Sequence, residues 1–274
     1  MTVLRHFFFI AVLWGAVALP AASAERGKIA AFMEITGFDV ALDSMRLSAG
    51  QAPMLLGLSE DNFGEDWSRL ADDVFESASL RSDALDILEQ TMDDEMLNHA
   101  AAFYASELGQ RLVAAENAGH LDDSDESRAA GEALVIAMLE DGSPRIGYFR
   151  DMSMAIGSIP HSIRLVTELQ VRFLMAASGA GLIEEDWTEE ELRGRILSRA
   201  DEMAQSMMVG SITNAAYTYR DFSDDDLAAY VAALEEPLMQ KVYELMHLVQ
   251  AQLQVQRFET LAKRMVALYP EQDI

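Results

Sequence analysis

Residues 91–116, TMDDEMLNHAAAFYASELGQRLVAAE, decide how the rest of the chain is read. Ala, Leu, Met and Glu, all good helix formers, dominate the segment, and it opens on an acidic run at Asp93–Glu95 that suits the positive end of a helix dipole. Leu97, Ala101, Tyr104, Leu108 and Leu112 follow at steps of three and four, which places one apolar stripe along one helix. Gly109 falls inside that stripe, where glycine costs about 1 kcal/mol against alanine. Close approach of another helix would offset that cost, and simple tolerance would also explain it.

The same grammar runs along the chain. Runs of alternating β-branched and aromatic residues bounded by turn signals are missing from the sequence, whereas apolar residues recur at helical spacing. The expected fold is all-α, a multi-helix bundle. Helices are placed at about 27–48, 63–79, 81–91, 93–117, 125–140, 145–178, 188–220 and 223–268. Their starts carry Ser59, Asp93, Asp125, Thr188 and Ser223, each followed by acids. Pro237, inside the last segment, marks a kink or the first turn of a new helix. The polar stretch 120–127, HLDDSDES, and the break 140–145, EDGSPR, flank a single bridging helix.

On either side of that bridge the sequence resembles itself. Residues 222–246, FSDDDLAAYVAALEEPLMQKVYELM, align with the opening stretch at a shift of 130. Leu97 meets Leu227, Leu108 meets Leu238, Gln110 meets Gln240 and Arg111 meets Lys241. Upstream, Trp67 falls over Trp187 at a shift of 120, and FMEI at 32–35 over FRDM at 149–152 at a shift of 117. Three blocks in one order argue for two related helical repeats. The expected organisation is a signal peptide at 1–24, repeat 1 at 25–119, a linker and bridging helix at 120–144, and repeat 2 at 145–270. If the duplication holds, the two tryptophans should occupy equivalent places.

The first residues, MTVLRHFFFIAVLWGAVALPAASAER, have Arg5 ahead of an apolar run and Ala22-Ser23-Ala24 as a small-residue cleavage site. This is the pattern of a secretory signal peptide cleaved after Ala24, and the apolar run is shorter than the roughly 20 residues of a spanning helix. Cleavage would leave 250 of the 274 residues, with no stable membrane anchor and a periplasmic address. The chain contains no cysteine, so disulfides contribute nothing. Twenty basic residues stand against 46 acidic ones, a formal charge of −26. Such a field repels nucleic acid and anionic lipid, and makes cationic partners possible.

A family resemblance attaches to FYASELGQRL at 103–112. The stretch resembles the F-Y-x-S-P-x-G-x-K motif of the exported bacterial helical proteins known as domain of unknown function 2059. Phe103, Tyr104, Ser106 and Gly109 fit, Arg111 replaces the lysine, and Glu107 sits where proline is usual. The second copy departs differently: Pro237 and Lys241 are kept, while Ala233 and Leu234 replace the aromatic pair and Met239 the glycine. The likeness implies a helical fold and export, and it lends no catalytic residue.

No residue is assigned to catalysis, to a cofactor or to a metal from the sequence. Ser106 has no lysine three residues on and no G-x-S-x-G elbow, and His99 lies about 10 Å away along the helix. His120, His161 and His247 are singletons without a paired zinc motif. An EF-hand loop laid from Asp123 would need glycine at Arg128 and glutamate at Leu134. Among the 16 methionines, Met152 with Met154 and the group Met203, Met207 and Met208 could hold soft metal, but methionine also fills gaps in helical cores. Forty-six acids cannot be sorted into functional pairs without geometry. The expected function is therefore a non-enzymatic binding or interaction module. Its partner is unknown, with a hydrophobic small molecule or a protein helix as candidates; an envelope assembly factor or an enzyme of unrecognised type are the alternatives. A polar cleft with perturbed titrating groups would count for the enzyme, and an apolar or filled interior against it.

Overall fold

The helix expected across 93–117 is two helices. In the computed structural model, which describes residues 25–49, 65–122, 124–179 and 187–265, the chain leaves helical geometry at Ala105–Ser106 and starts again at Glu107. Ser106 is the N-cap of the second piece, and its Oγ accepts the backbone N–H of Gly109 at 3.1 Å. Gly109 is three residues into the new helix, folded back against the end of the old one. A Cβ there would sit 2.3 Å from the carbonyl oxygen of Phe103 and 2.6 Å from Cα of Tyr104. The close approach that accounts for Gly109 is thus made by the preceding helix of the same corner. The stripe survives the break, because Leu97, Tyr104 and Leu112 all lie in the core.

Fourteen helical segments are seen among the described residues: α1 Arg26–Thr36, α2 Phe38–Asp43, α3 Met45–Ala49, α4 Glu65–Val74, α5 Ser77–Thr91, α6 Asp94–Tyr104, α7 Glu107–His120, α8 Asp125–Glu140, α9 Arg145–Ala155, α10 Ser158–Gly179, α11 Glu189–Leu197, α12 Ala200–Thr218, α13 Asp224–Leu234 and α14 Pro237–Met265. The fold is an all-α multi-helix bundle. The bridging helix has the bounds expected for it. Thr188 and Ser223 both form capping boxes with the acid three residues on, and Pro237 begins α14. Four expected long helices are each broken further: at Gly37 and Ser44, at Ala105–Ser106, at Ile156–Gly157, and at Ser198–Arg199. The cap at Ser59 lies outside the described residues.

The helix bounds on the two sides of α8 keep step. α6 and α13 each have 11 residues and begin at Asp94 and Asp224, 130 apart, while α7 and α14 begin at Glu107 and Pro237, again 130 apart. Packing keeps step as well. α1 rests on α5 and α6, and α9 on α12 and α13; α2 rests on α5 and α7, while α10 meets α12 and α14; α3 meets α4, and α10 meets α11. The tryptophans do not keep step. Trp67 is buried inside α4, whereas Trp187 precedes the cap of α11, is only partly buried, and lies under the guanidinium of Arg195. The tryptophans therefore fail the test set for the duplication and count against it, while the parallel helix bounds count in its favour.

One hydrophobic core runs through both sides, from Ile29, Phe32 and Trp67 to Phe149, Phe173 and Leu261. The long α14 links them by packing on α10 and, from the other side, on α4, α5 and α6. Met152 points into this core, while Met154 is 64% exposed, so the two do not converge. Met33, Met45, Met92, Met138, Met239 and Met265 are core residues too.

Two glycine substitutions test the corner. Gly109→Ala is expected to destabilise the protein by about 1–3 kcal/mol, since backbone must shift to admit the methyl group. Gly210→Ala, in a part of α12 where a Cβ meets nothing within 4 Å, is expected to stabilise it by about 0.5–1 kcal/mol. Urea denaturation of the two variants measures both; a neutral or stabilising Gly109→Ala would contradict the corner geometry.

Candidate functional site

The C-terminal half of α7 carries Glu116 four residues after Leu112 and three after Val113, on the helix's buried face. This puts a carboxylate where the two sides of the molecule meet. Its Oε1 accepts the hydroxyls of Tyr219 and Tyr230, each at 2.7 Å. Behind Tyr230 stand two more tyrosines. The Tyr230 and Tyr243 hydroxyls are 3.2 Å apart, and Tyr243 is in close hydrogen-bond contact with Tyr104. Each hydroxyl has one proton to give, so donation running Tyr104 to Tyr243 to Tyr230 to Glu116 satisfies the whole chain. Oε2 of Glu116 accepts no hydrogen bond from a described residue.

No cation among the described residues offsets this carboxylate. Burial raises the Glu116 pKa above the ordinary glutamate range, and the Tyr219 and Tyr230 hydroxyls pull it back only in part. Burial and the nearby charge on Glu116 hold the hydroxyls of Tyr219 and Tyr230 well above the usual tyrosine range, so both remain donors.

Neighbouring contacts hold these side chains in place. Arg145, at the start of α9, donates to the carbonyls of Tyr219 and Phe222 at 2.6 and 3.0 Å, and so fixes the turn between α12 and α13 from which Tyr219 projects. Tyr219 packs against Phe149, Phe222 and Tyr230, with ring centroids about 6 Å apart in each case. Phe103 stacks on Tyr230 at 5.9 Å with the rings nearly parallel. Gly37 turns the chain between α1 and α2 at φ +70°, with Asn117 of α7 close enough that a Cβ would strike its Oδ1 at 2.3 Å.

Above Glu116 opens a cleft of about 500 Å³, bordered by α1, α2 and α7 on one side and by α9, α10, α12, α13 and α14 on the other. Its lining is rich in hydroxyls and amides, including Ser153, Ser158, Ser162, Ser211 and Asn214, and among the described residues it contains no lysine or arginine. His247 borders it from α14. Burial first, then His161 and Arg164, push its pKa down to about 4, so its imidazole is neutral at pH 7. The His247 and His161 rings lie 4.7 Å apart, and His247 Nδ1 is buried without a hydrogen-bond partner among the described residues. None of the lining serines donates to a histidine. The interior is thus a cleft of mixed polar and apolar lining that carries perturbed titrating groups.

Glu116, Tyr219, Tyr230, Tyr243 and Arg145 were not singled out from the sequence. Ser106, which was weighed there as a nucleophile, is a helix cap remote in role from this cleft. His120 and His247 both border the cleft, and His161 lies behind His247. The linker acid Asp122 caps the backbone N–H of Ser124.

Residues 78–135, spanning α5 to most of α8, match the family described as "Uncharacterized protein conserved in bacteria (DUF2059)". The resemblance read from FYASELGQRL is borne out. No curated protein matches the chain, and no solved structure does. The matched span includes Tyr104 and Glu116 and ends before their partners Tyr219, Tyr230 and Tyr243.

Two pH effects of opposite sign follow. The raised Glu116 pKa contributes stability that is fully present below about pH 4.5 and is lost as pH rises through its folded value. The lowered His247 pKa contributes stability present above about pH 6.5 and lost as pH falls toward 4. Calorimetric melting between pH 4 and 7.5 should therefore show Glu116→Gln improving relative to wild type as pH rises. His247→Gln should improve relative to wild type as pH falls. Parallel Tm curves for all three proteins would contradict both assignments.

Proposed function

We propose that this chain is an exported, non-enzymatic binding protein built of two divergent helical units, with the cleft between them as its ligand site. The observation that carries the reading is Glu116: a carboxylate held on one oxygen by two tyrosines, its other oxygen unbonded, at a cleft of about 500 Å³. That volume suits a small molecule, and convergent polar groups in a helical groove are the usual makings of a small-ligand site. The hydroxyl and amide lining supports a polar ligand better than the hydrophobic one expected from the sequence.

The perturbed groups in the cleft favour chemistry by the criterion set for an enzyme. Against this, the described residues of the lining include a single carboxylate, and none of its serines is hydrogen-bonded to a histidine among them. Binding is the reading that both facts support. The parallel helix bounds and packing support the two-unit organisation, with α8 between the units. Export rests on the first 24 residues, and the absence of cysteine agrees with it. Among the described residues, no helix is long and apolar enough to cross a membrane.

A protein partner is a second reading, favoured by an apolar groove between α5, α10 and α14, where Leu248 is 55% exposed beside Leu165, Leu245 and Val255. Its opening is rimmed by Arg164, Glu168, Arg172 and Glu259. An amphipathic helix would suit it.

Two measurements test the proposal. Fractionation with intact-mass analysis should find the protein in the periplasm beginning at Glu25; a cytoplasmic protein retaining residues 1–24 would contradict export. Native mass spectrometry of that material should show a small polar molecule bound to the wild type and absent from Glu116→Gln. An adduct unchanged in Glu116→Gln would contradict the site.

A further inference from the structure

We propose that the cleft is an ammonium site: a primary alkylammonium ion donates its N–H groups to the free Oε2 of Glu116, with the ring of Tyr219 beside it. This inference rests on the ligand-binding reading of the cleft.

The chemistry of the lining selects the charge. Glu116 is acceptor-only when ionised, and both tyrosine hydroxyls that reach it spend their protons on Oε1. The remaining oxygen is available to a donor supplied from outside. The other ionisable side chains among the described lining residues are His120, His247 and the tyrosines Tyr219, Tyr230 and Tyr243, and these residues include neither lysine nor arginine to fill the role internally. A cationic donor makes the stronger, charge-assisted hydrogen bond to this oxygen, which belongs to a half-buried side chain and is open to the cleft. Of the rings of Tyr219, Tyr230 and Phe149 at this end of the cleft, Phe149 and Tyr230 are buried and Tyr219 is partly exposed, so the ring of Tyr219 is the one of the three that offers surface to a cation. Beyond the cleft, a formal charge of −26 concentrates cations at the surface and repels anions. The serines of the lining would then hold the polar far end of the ligand.

The cation also changes what Glu116 does. Its raised pKa reflects burial without a positive partner, so an ammonium ion brings it down and binding releases protons near the foot of that titration. Affinity should rise with pH as Glu116 ionises, and level off while the amine remains charged.

The test compares 4-aminobutan-1-ol with 1,4-butanediol, which exchange one ammonium group for a hydroxyl, by NMR titration of the full chain after signal removal. The expected result is at least about tenfold tighter binding of the amine, the effect of one charge-assisted contact. Glu116→Gln should erase that difference. Asn214→Lys provides a check that leaves the tyrosine network intact, because Asn214 is exposed and makes no hydrogen bond with a described residue. It places a cation in the lining and should weaken the amine about tenfold, with little effect on the diol. Asn214→Ala should weaken both alike or neither. Equal affinity for amine and diol would overturn the ammonium proposal and leave the binding cleft standing. Failure of both to bind would overturn the two together. Full amine affinity in folded Glu116→Gln or in Asn214→Lys would overturn the assignment to Glu116.

Discussion

The carboxylate of Glu116 accepts two tyrosine hydroxyls across the junction between the helices before α8 and those after it, and no positive side chain among the described residues stands opposite. That arrangement is costly to assemble and costly to break. A buried carboxylate without a cation is tolerated only when its hydrogen bonds are made, and each tyrosine that loses its acceptor becomes an orphan buried donor. The surrounding structure follows from this constraint. Arg145 fixes the turn that presents Tyr219, α13 and α14 carry Tyr230 and Tyr243 to the same point, and Gly37 lets α1 and α2 fold closely beside α7. Apolar packing makes the bundle stable, whereas this polar chain fixes how its two sides meet.

The family's motif acquires physical meaning in this setting. FYASELGQRL is a helix corner and not a continuous helical face. Tyr104 is the far end of the hydroxyl chain, Phe103 stacks on Tyr230, Ser106 caps α7, and Gly109 lets α7 fold tightly against the end of α6. Glu107 occupies the first helical position, where proline is well suited, and Pro237 occupies that position in α14. The corner aims α7 so that Glu116, a little over two turns later, reaches the junction.

Much of the fold was legible because helix starts are local chemistry. Thr188 and Ser223 with their acids, the bounds of α8, and the restart at Pro237 could all be read from a few neighbouring residues. The breaks at Ala105–Ser106 and Ser198–Arg199 were not, since alanine, serine and arginine all occur within helices and the stops are decided by packing. The site was harder still. Glu116 is one acid among 46, and its only signal is its place three and four residues after apolar core positions. Tyr230 and Tyr243 sit on apolar faces where a tyrosine reads as ordinary core. Their convergence on Glu116 joins residues more than 100 positions apart, which local patterning cannot reveal. The tryptophan alignment failed for a related reason: a short matching stretch fixes neither helix phase nor burial.

The central claim is that Glu116 is a carboxylate held at the junction by hydroxyls alone, without a cation. Carbon-detected NMR titration of the glutamate side-chain carboxyls measures this directly. The expected result is one resonance, missing in Glu116→Gln, whose midpoint lies above the ordinary glutamate value of about 4.3. A Glu116 carboxyl titrating at or below that value would contradict the claim, because burial there outweighs the two hydroxyls that lower its pKa.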